Sequence, residues 1–520
     1  MKKIISTFVF AAFCFTSQAQ VATWTDNVAC ILYTHCTSCH NANGIGPGDF
    51  TSYSNAAMYK TAIKNATSTR AMPPFKADLS YQHYTEERVL TQQEIDILAS
   101  WADNNAPQGN GTAPVAPTYP NGATMQNADL VLQAPTYTVN TTAGDVYRCF
   151  VIPGGIATDK YITNIEVVPG NRPIVHHVLV FTDTSTVPAT LDAGDPGPGY
   201  NSAGTGSNAS TLVAGWVPGQ GVINIAPGFG LRAPANTSYV IQIHYPSGIN
   251  NLVDSTKVYL KFATSPVRTA FVSPVINHGP PSLQNGPLVI AANTTKTFIA
   301  KYTIPNFVNT SVLSVSPHMH KIGRNIKSFA VNTAGDTTKL INIPSWDFNW
   351  QGGYNFQKPI VLTGGSTIWA NALYDNTTAN PFNPSNPPQL VTLGEGTNDE
   401  MMLIYFTYAL AMPGDENMVI DTVGRPDYYN GCGIGSVPNS IVDVTAQKPM
   451  LVPNPSTTSL TIVGNSQVAY KLIVVNTAGS VVLQSTLNGN GSLQHNLSPG
   501  LYRAIIFDGM TTSSENLLVR

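Results

Sequence analysis

Two groups of residues have the types and spacing for redox or metal chemistry. Cys36-Thr37-Ser38-Cys39-His40 is a C-x-x-C-H run, in which two thiols can form thioethers to haem vinyl groups while the adjacent imidazole reaches the iron. A disulfide beside an incidental histidine, and a thioredoxin-like dithiol, are the other readings of these five residues. A downstream thioether would complete the iron's coordination and raise its reduction potential. Met72, in Ala71-Met72-Pro73-Pro74, is placed for this because two prolines stiffen the loop that must present its sulfur. Met58 reads as core, His35 and His83 as surface or loop residues, and Cys30 as a buried thiol.

The second group is a series of histidines ending in a methionine. His176-His177 lies in the apolar run Pro173–Phe181. Neighbours in a regular strand point to opposite faces, so both serve one metal only through a bulge or through different ring nitrogens. His244 closes the strand-like run Tyr239–Tyr245, where a histidine taken alone is more often a hydrogen-bonded core residue than a ligand. In His318-Met319-His320 the two imidazoles, two residues apart, share a strand face and can chelate one ion. Met401 follows Asp399-Glu400 and opens the run Met401–Tyr408, a position that by itself reads as core.

The elements that must position these residues change character along the chain. Helical periodicity is confined to residues 27–33 and 91–101. In the second stretch Ile95, Leu98 and Trp101 recur at helical spacing after a Thr91-Gln92-Gln93-Glu94 capping box. A small α-helical domain is therefore predicted at 20–107, followed by a Gly- and Pro-rich linker at 108–118. From Tyr119 to Val444 apolar runs alternate with Gly, Pro, Asn and Asp clusters, which predicts two β-sandwiches, 119–265 and 266–445, with a border near Thr264–Ser273. Trp346–Trp350 and Tyr374–Asn376 read as structural corners, and His278 as a loop cap. Short strands at Leu460–Val463, Tyr470–Val475, Val481–Gln484 and Tyr502–Phe507 predict a small C-terminal β-sandwich at 449–520.

Composition agrees with this mainly β, multidomain reading. The 520 residues include 42 Gly and 38 Pro, 42% are apolar and 11% are charged, which suits many short strands around large cores. With 26 basic and 29 acidic side chains the net charge is -3, so no polycationic surface exists to neutralise nucleic-acid phosphates and no nucleic-acid partner is expected. Lys2-Lys3, the apolar run Ile4–Phe15 and Ser17-Gln18-Ala19 predict a signal peptide at 1–19, cleaved after Ala19. Export permits disulfides, and Cys149 with Cys432 is a candidate pair that sequence spacing cannot decide.

Three resemblances follow from these residues. From Cys36 through Met72-Pro73-Pro74 to Trp101 the chain resembles a class I cytochrome c domain, which implies one covalent c-type haem on Cys36, Cys39 and His40, with Met72 as sixth ligand. From Tyr119 to Val444 it resembles the copper type II ascorbate-dependent monooxygenases, the family of peptidylglycine α-hydroxylating and dopamine β-monooxygenases. This second resemblance rests on the His-His strand, Gly215-Trp216-Val217-Pro218-Gly219, Gln242-Ile243-His244-Tyr245, the His-x-His before Gly323-Arg324, and Asp399-Glu400-Met401 leading to Tyr405. It implies two β-sandwiches facing across a water-filled cleft and two copper ions. His176, His177 and His244 would hold the electron-storing copper, and His318, His320 and Met401 the oxygen-binding one. O2 and a small-molecule substrate would then react at an aliphatic C–H, with ascorbate or a redox protein as external reductant and the haem as a route for electrons. Ser316 stands where peptide-amidating relatives carry a carboxylate-binding Arg, which argues against a glycine-extended peptide. Met402 replaces a disulfide cysteine of the relatives, and Tyr405 reads as a packed strand aromatic. A non-catalytic haem and copper electron carrier would contain the same cofactors. Third, Pro453-Asn454-Pro455, Asn476–Gly479 and Leu497–Tyr502 resemble the C-terminal sorting domain of type IX secretion, which implies that machinery as a partner and a secreted or cell-surface location.

Overall fold

The structure, a computed structural model, describes residues 21–421, 432 and 450–520, apart from 464–468, 477–479, 489–490 and 508–511. The expected signal peptide, and all of 422–445 except Cys432, lie outside the described residues. The chain divides into two compact units, residues 1–437 and 438–520.

In the larger unit, α1 (Ala29–His35), α2 (Tyr53–Met58), α3 (Lys60–Ser68) and α4 (Gln92–Asp103) form the helical part. The Thr91 hydroxyl accepts the Glu94 amide and the Glu94 carboxylate accepts the Thr91 amide, so the capping box fixes where α4 starts. Ile95, Leu98 and Trp101 are buried on one face of α4, against a core that includes Trp24, Val28 and Leu32. Met58 is a correction: it ends α2 and is 74% exposed. His35 is another, being buried with Nε2 3.2 Å from Glu94 Oε1. The predicted linker packs back on the helices, with Pro107 and Gln108 carbonyls accepting the amides of Trp24 and Thr25.

The β region is built on one long sheet rather than on two separate ones. Among the described residues it has nine strands, and Arg268–Ile276 runs parallel to Phe229–Ala233 on one side and antiparallel to Leu403–Leu410 on the other. The expected domain border thus falls on the strand that joins the halves. Facing the first half is a five-stranded sheet containing His177–Asp183 and Ser238–Tyr245, and facing the second is a four-stranded sheet containing Gly323–Val331. Each half keeps its own apolar core.

The segment 75–85, predicted as part of the helical domain, docks on the second half. Tyr84 is fully buried there, donates its hydroxyl to Leu340 O at 2.9 Å and stacks on Phe356. Cys30 is bonded to Cys432, 402 residues away. This corrects both cysteine expectations: Cys30 is no free thiol, and Cys149 does not pair with Cys432 but lies buried with Sγ 3.4 Å from Gly204 O.

The smaller unit has a three-stranded sheet (Met450–Val452, Ser459–Val463, Ser492–Gln494) and a four-stranded one (Ala469–Val475, Val481–Asn488, Gly500–Phe507, Thr512–Val519). Alternating residues such as Leu460, Ile462, Leu472 and Val474 meet in its core. His495 is spent structurally, with Nε2 2.7 Å from Ser456 Oγ.

Candidate metal centres

Strand geometry resolves the His176-His177 problem. His177 begins the strand His177–Asp183 and pairs directly with His244 on Ser238–Tyr245. His176 lies just outside the strand, after the Arg172–Ile174 turn, with its amide bonded to His244 O. Strand alternation does not bind it, so all three imidazoles converge. His177 Nδ1 stands 3.2 Å from His176 Nδ1 and 3.4 Å from His244 Nδ1. Two nitrogens each ~2 Å from a tetrahedral metal ion stand about 3.3 Å apart, so this trio fits one ion. Burial holds His177 well below the ordinary imidazole pKa and brings His176 down to about 4, so both are neutral and free to donate lone pairs at pH 7. His244 Nε2 faces the Asp145 carboxylate at 3.4 Å and its ring stacks on Tyr147, an outer support typical of metal-bound imidazoles.

The second group lies at the end of the long sheet. Thr310–His318 pairs with Leu403–Leu410, and His318 stands opposite Leu403. Met319 points into the core, which leaves His318 and His320 on the other side with ring centroids 5.0 Å apart. Met401 precedes the partner strand. Buried Glu400 ties it to the histidines, since its carboxylate accepts the amides of His320, Ile322 and Met401. His318 donates Nδ1–H to Gln351 Oε1 at 2.5 Å, and His320 donates Nδ1–H to Asp399 O at 3.0 Å. Each ring is thereby left with Nε2 as its free lone pair. Burial lowers His318 to about 4 and His320 to about 3. Two neutral imidazoles beside a thioether-bearing residue are a donor set for a soft, redox-active ion.

One phenyl ring stands between the two groups. Phe348 stacks on His176 with centroids 4.8 Å apart and meets His320 edge-on at 5.8 Å. The resemblance implies a water-filled cleft, whereas here an aromatic side chain occupies this part of the gap. A cavity of about 390 Å³ is lined by residues including Asp145, Tyr147, Thr397 and Asp399, of which Asp145 faces His244 and Asp399 accepts the His320 ring proton. Phe348, Gln351, Asp145 and Glu400 are the functional candidates that sequence reasoning missed. Only Glu400, adjacent to Met401, carried a local signal.

In the helical part Cys36 and Cys39 are unpaired, and burial pushes the Cys36 thiol up to about 12. His40 donates Nδ1–H to Pro47 O at 2.8 Å and stacks on Phe50, so Nε2 is the nitrogen left for an iron. Two unbonded thiols and a ring oriented in this way fit a covalent haem. Met72 stands on a separate loop after α3, its amide held by Ala66 O.

Residues 289–430 match the family described as copper type II ascorbate-dependent monooxygenase, C-terminal domain. Residues 450–520 match the secretion system C-terminal sorting domain. His318, His320 and Met401 fall inside the first match, while His176, His177, His244 and Cys36–His40 precede it. Among curated proteins the chain is similar to DBH-like monooxygenase protein 2 of Mus musculus, at 25% identity over 285 residues. That alignment covers 50% of this chain and 43% of the relative, so the chain spans less than half of that protein. Among solved structures it is similar to a β-glucuronidase of Faecalibacterium prausnitzii, at 13% identity and TM-score 0.13 over 44% of this chain and 37% of that one. It is also similar to PNGase F, a glycosylasparaginase from Flavobacterium meningosepticum, at 12% identity and TM-score 0.27 over 58% and 100%. The chain carries a copper type II monooxygenase-like domain, and its sorting tail directs export through type IX secretion to the cell surface or extracellular space.

Proposed function

We propose that this is an exported monooxygenase that hydroxylates an aliphatic C–H of a small organic substrate with O2. In this reading His176, His177 and His244 hold one copper, and His318, His320 and Met401 hold the other. Cys36, Cys39 and His40 carry a c-type haem with Met72 as its sixth ligand. The domain boundaries inferred from sequence, including a signal peptide ending at Ala19, belong to the same reading. The observation that carries it is the pair of imidazole groups on either side of Phe348.

When bound, the two coppers would supply one electron each and the activation of O2, and the haem would pass in electrons from ascorbate or a redox protein. The chain's own part is positioning. Gln351 Oε1 and Asp399 O hold the Nδ1 protons of His318 and His320 and so leave both Nε2 lone pairs for a metal. Glu400 fixes Met401 to the His-x-His segment, and the soft thioether favours the reduced state of a bound copper. The cavity beside Tyr147 and Asp399, lined by residues that support His244 and His320, has room for a small substrate.

The test is Met401→Ala in haem-matured, copper-loaded protein, with reductant and a metabolite mixture as the substrate source. O2 uptake coupled to a hydroxylated product should be present in the wild type and lost in the variant, with the haem spectrum unchanged. Hydroxylation that survives the substitution overturns the oxygen-site assignment. A wild-type protein holding both cofactors without forming product is instead an electron carrier.

A further inference from the structure

One six-residue segment, Trp346–Gln351, touches both proposed copper groups and, through Gly219, lies near the C-x-x-C-H motif. Trp346 Nε1 donates to His320 O at 3.1 Å, and Gln351 Oε1 accepts the His318 ring proton. Phe348 lies between His176 and His320. Trp350 reaches the other way. A methyl group placed on Gly219 would sit 3.4 Å from Ile45 Cδ1, 3.6 Å from Cys39 Sγ and 3.8 Å from the Trp350 ring, so the thiol and the indole both border the space beside a residue that has no side chain. Gly219 also has φ +88, a conformation that glycine adopts without strain. Arg172, four residues before His176, adds a bond from Nη1 to Asn43 O at 3.0 Å and fixes the haem motif's loop against the first β half.

We infer that this segment is the electron path between the haem and the two copper groups, with Trp350 beside Cys39 and Phe348 between His176 and His320. The inference rests on the proposed haem and copper sites. Cys39 would hold a haem near Gly219, which Trp350 also borders, and the tight Asp347–Trp350 turn, closed by Trp350 N–H to Asp347 O at 3.0 Å, carries both Trp350 and Phe348. Each transfer takes one electron from ferrous haem and gives it to one cupric ion, leaving ferric haem and cuprous copper. An external one-electron donor, ascorbate or a redox protein, restores the ferrous haem. No bond forms at either ring, and neither ring is oxidised. The half-buried setting of both aromatics lets them be replaced without emptying a core.

The test uses the full chain with haem and copper bound. A radical donor generated by pulse radiolysis reduces the haem, the decay of the ferrous band follows the electron leaving it, and freeze-quenched EPR counts the cupric ions that remain. Trp350→Ala and Phe348→Ala should each slow the decay by about an order of magnitude, with haem spectrum and copper content unchanged. Trp350→Phe, which keeps a ring and guards against misfolding, should retain most of the rate. Wild-type decay in both alanine variants overturns the path. Haemochrome and metal analysis come first: a wild-type chain lacking either cofactor defeats the proposed function and this path together. A chain that holds both but forms no product still tests the path by the same decay.

Discussion

The Glu400 carboxyl group, whose pKa burial raises to about 8, accepts the amide of His320 at 2.9 Å and that of Met401 at 3.2 Å, so one buried side chain joins the two segments that would share an oxygen-site metal. It also accepts Ile322 N–H at 2.8 Å. Glu400→Ala leaves three buried amides without this acceptor, at ~1–3 kcal/mol each. The variant should melt several degrees lower and bind copper at this site at least ~10-fold more weakly, while the three-histidine site keeps its ion. Glu400→Gln, which retains one acceptor oxygen, should lose less. Copper titration with separate EPR signals for the two sites checks this, and equal affinity at both sites in Glu400→Ala would refute the clamp.

Cys30 and Cys432 close a covalent loop around nearly the whole larger unit. Peptide mapping under non-reducing conditions should recover the two cysteines in one cross-linked product. Cys432→Ser should destabilise the protein by about 2–5 kcal/mol, the usual cost of removing a native disulfide. Haem attachment should continue, because Cys36 and Cys39 take no part in the bond. A map that joins Cys149 to Cys432 would overturn the pairing.

What the sequence made legible was local. Strand Tyr239–Tyr245 differs by one residue from the observed Ser238–Tyr245, and the Thr91–Glu94 capping box marks the true start of α4, because alternation and capping are set by near neighbours. His318-Met319-His320 reads as one face of a strand, but the strand ends at His318, and His320 just beyond it is held by Glu400 and Asp399 instead. The contact of Phe348 with His176 was not readable, since it depends on how a loop of one half lies over a strand end of the other. The corner reading of Trp346–Trp350 registered the turn and missed what it touches. Cys30 with Cys432 escaped because sequence separation carries no information about Cα distance. The docking of 75–85 on the second β half escaped because a single buried aromatic, Tyr84, has no period to betray it.

Tyr84 gives that docking a measurable strength. Its ring packs on Tyr354 and Phe356, with centroids 5.2 and 5.6 Å away, and its hydroxyl bonds Leu340 O. Tyr84→Phe should cost about 1 kcal/mol for the lost hydrogen bond. Tyr84→Ala should cost ~3–5 kcal/mol for the emptied ring site. Urea unfolding of the two variants checks the ratio, and near-equal losses would mean that the ring contributes little.

At the seam of the long sheet, Arg268 makes two bonds to Asp415, at 2.6 and 2.9 Å, and the same carboxylate accepts Ser311 Oγ–H and Met412 N–H. These partners, Arg268 first, hold the Asp415 carboxyl well below its ordinary pKa. A folded pKa below the unfolded value of ~3.9 means that the stabilisation is complete above about pH 5 and is lost as pH falls through the range below it. Asp415→Asn should therefore cost about 3 kcal/mol at pH 7, the loss expected on breaking a largely buried pair. The gap between wild type and variant should hold steady down to roughly pH 5 and narrow in more acidic buffer. Calorimetric melts of both proteins across that range measure it, and a gap that stays constant in strong acid would show that Asp415 acts through shape rather than charge.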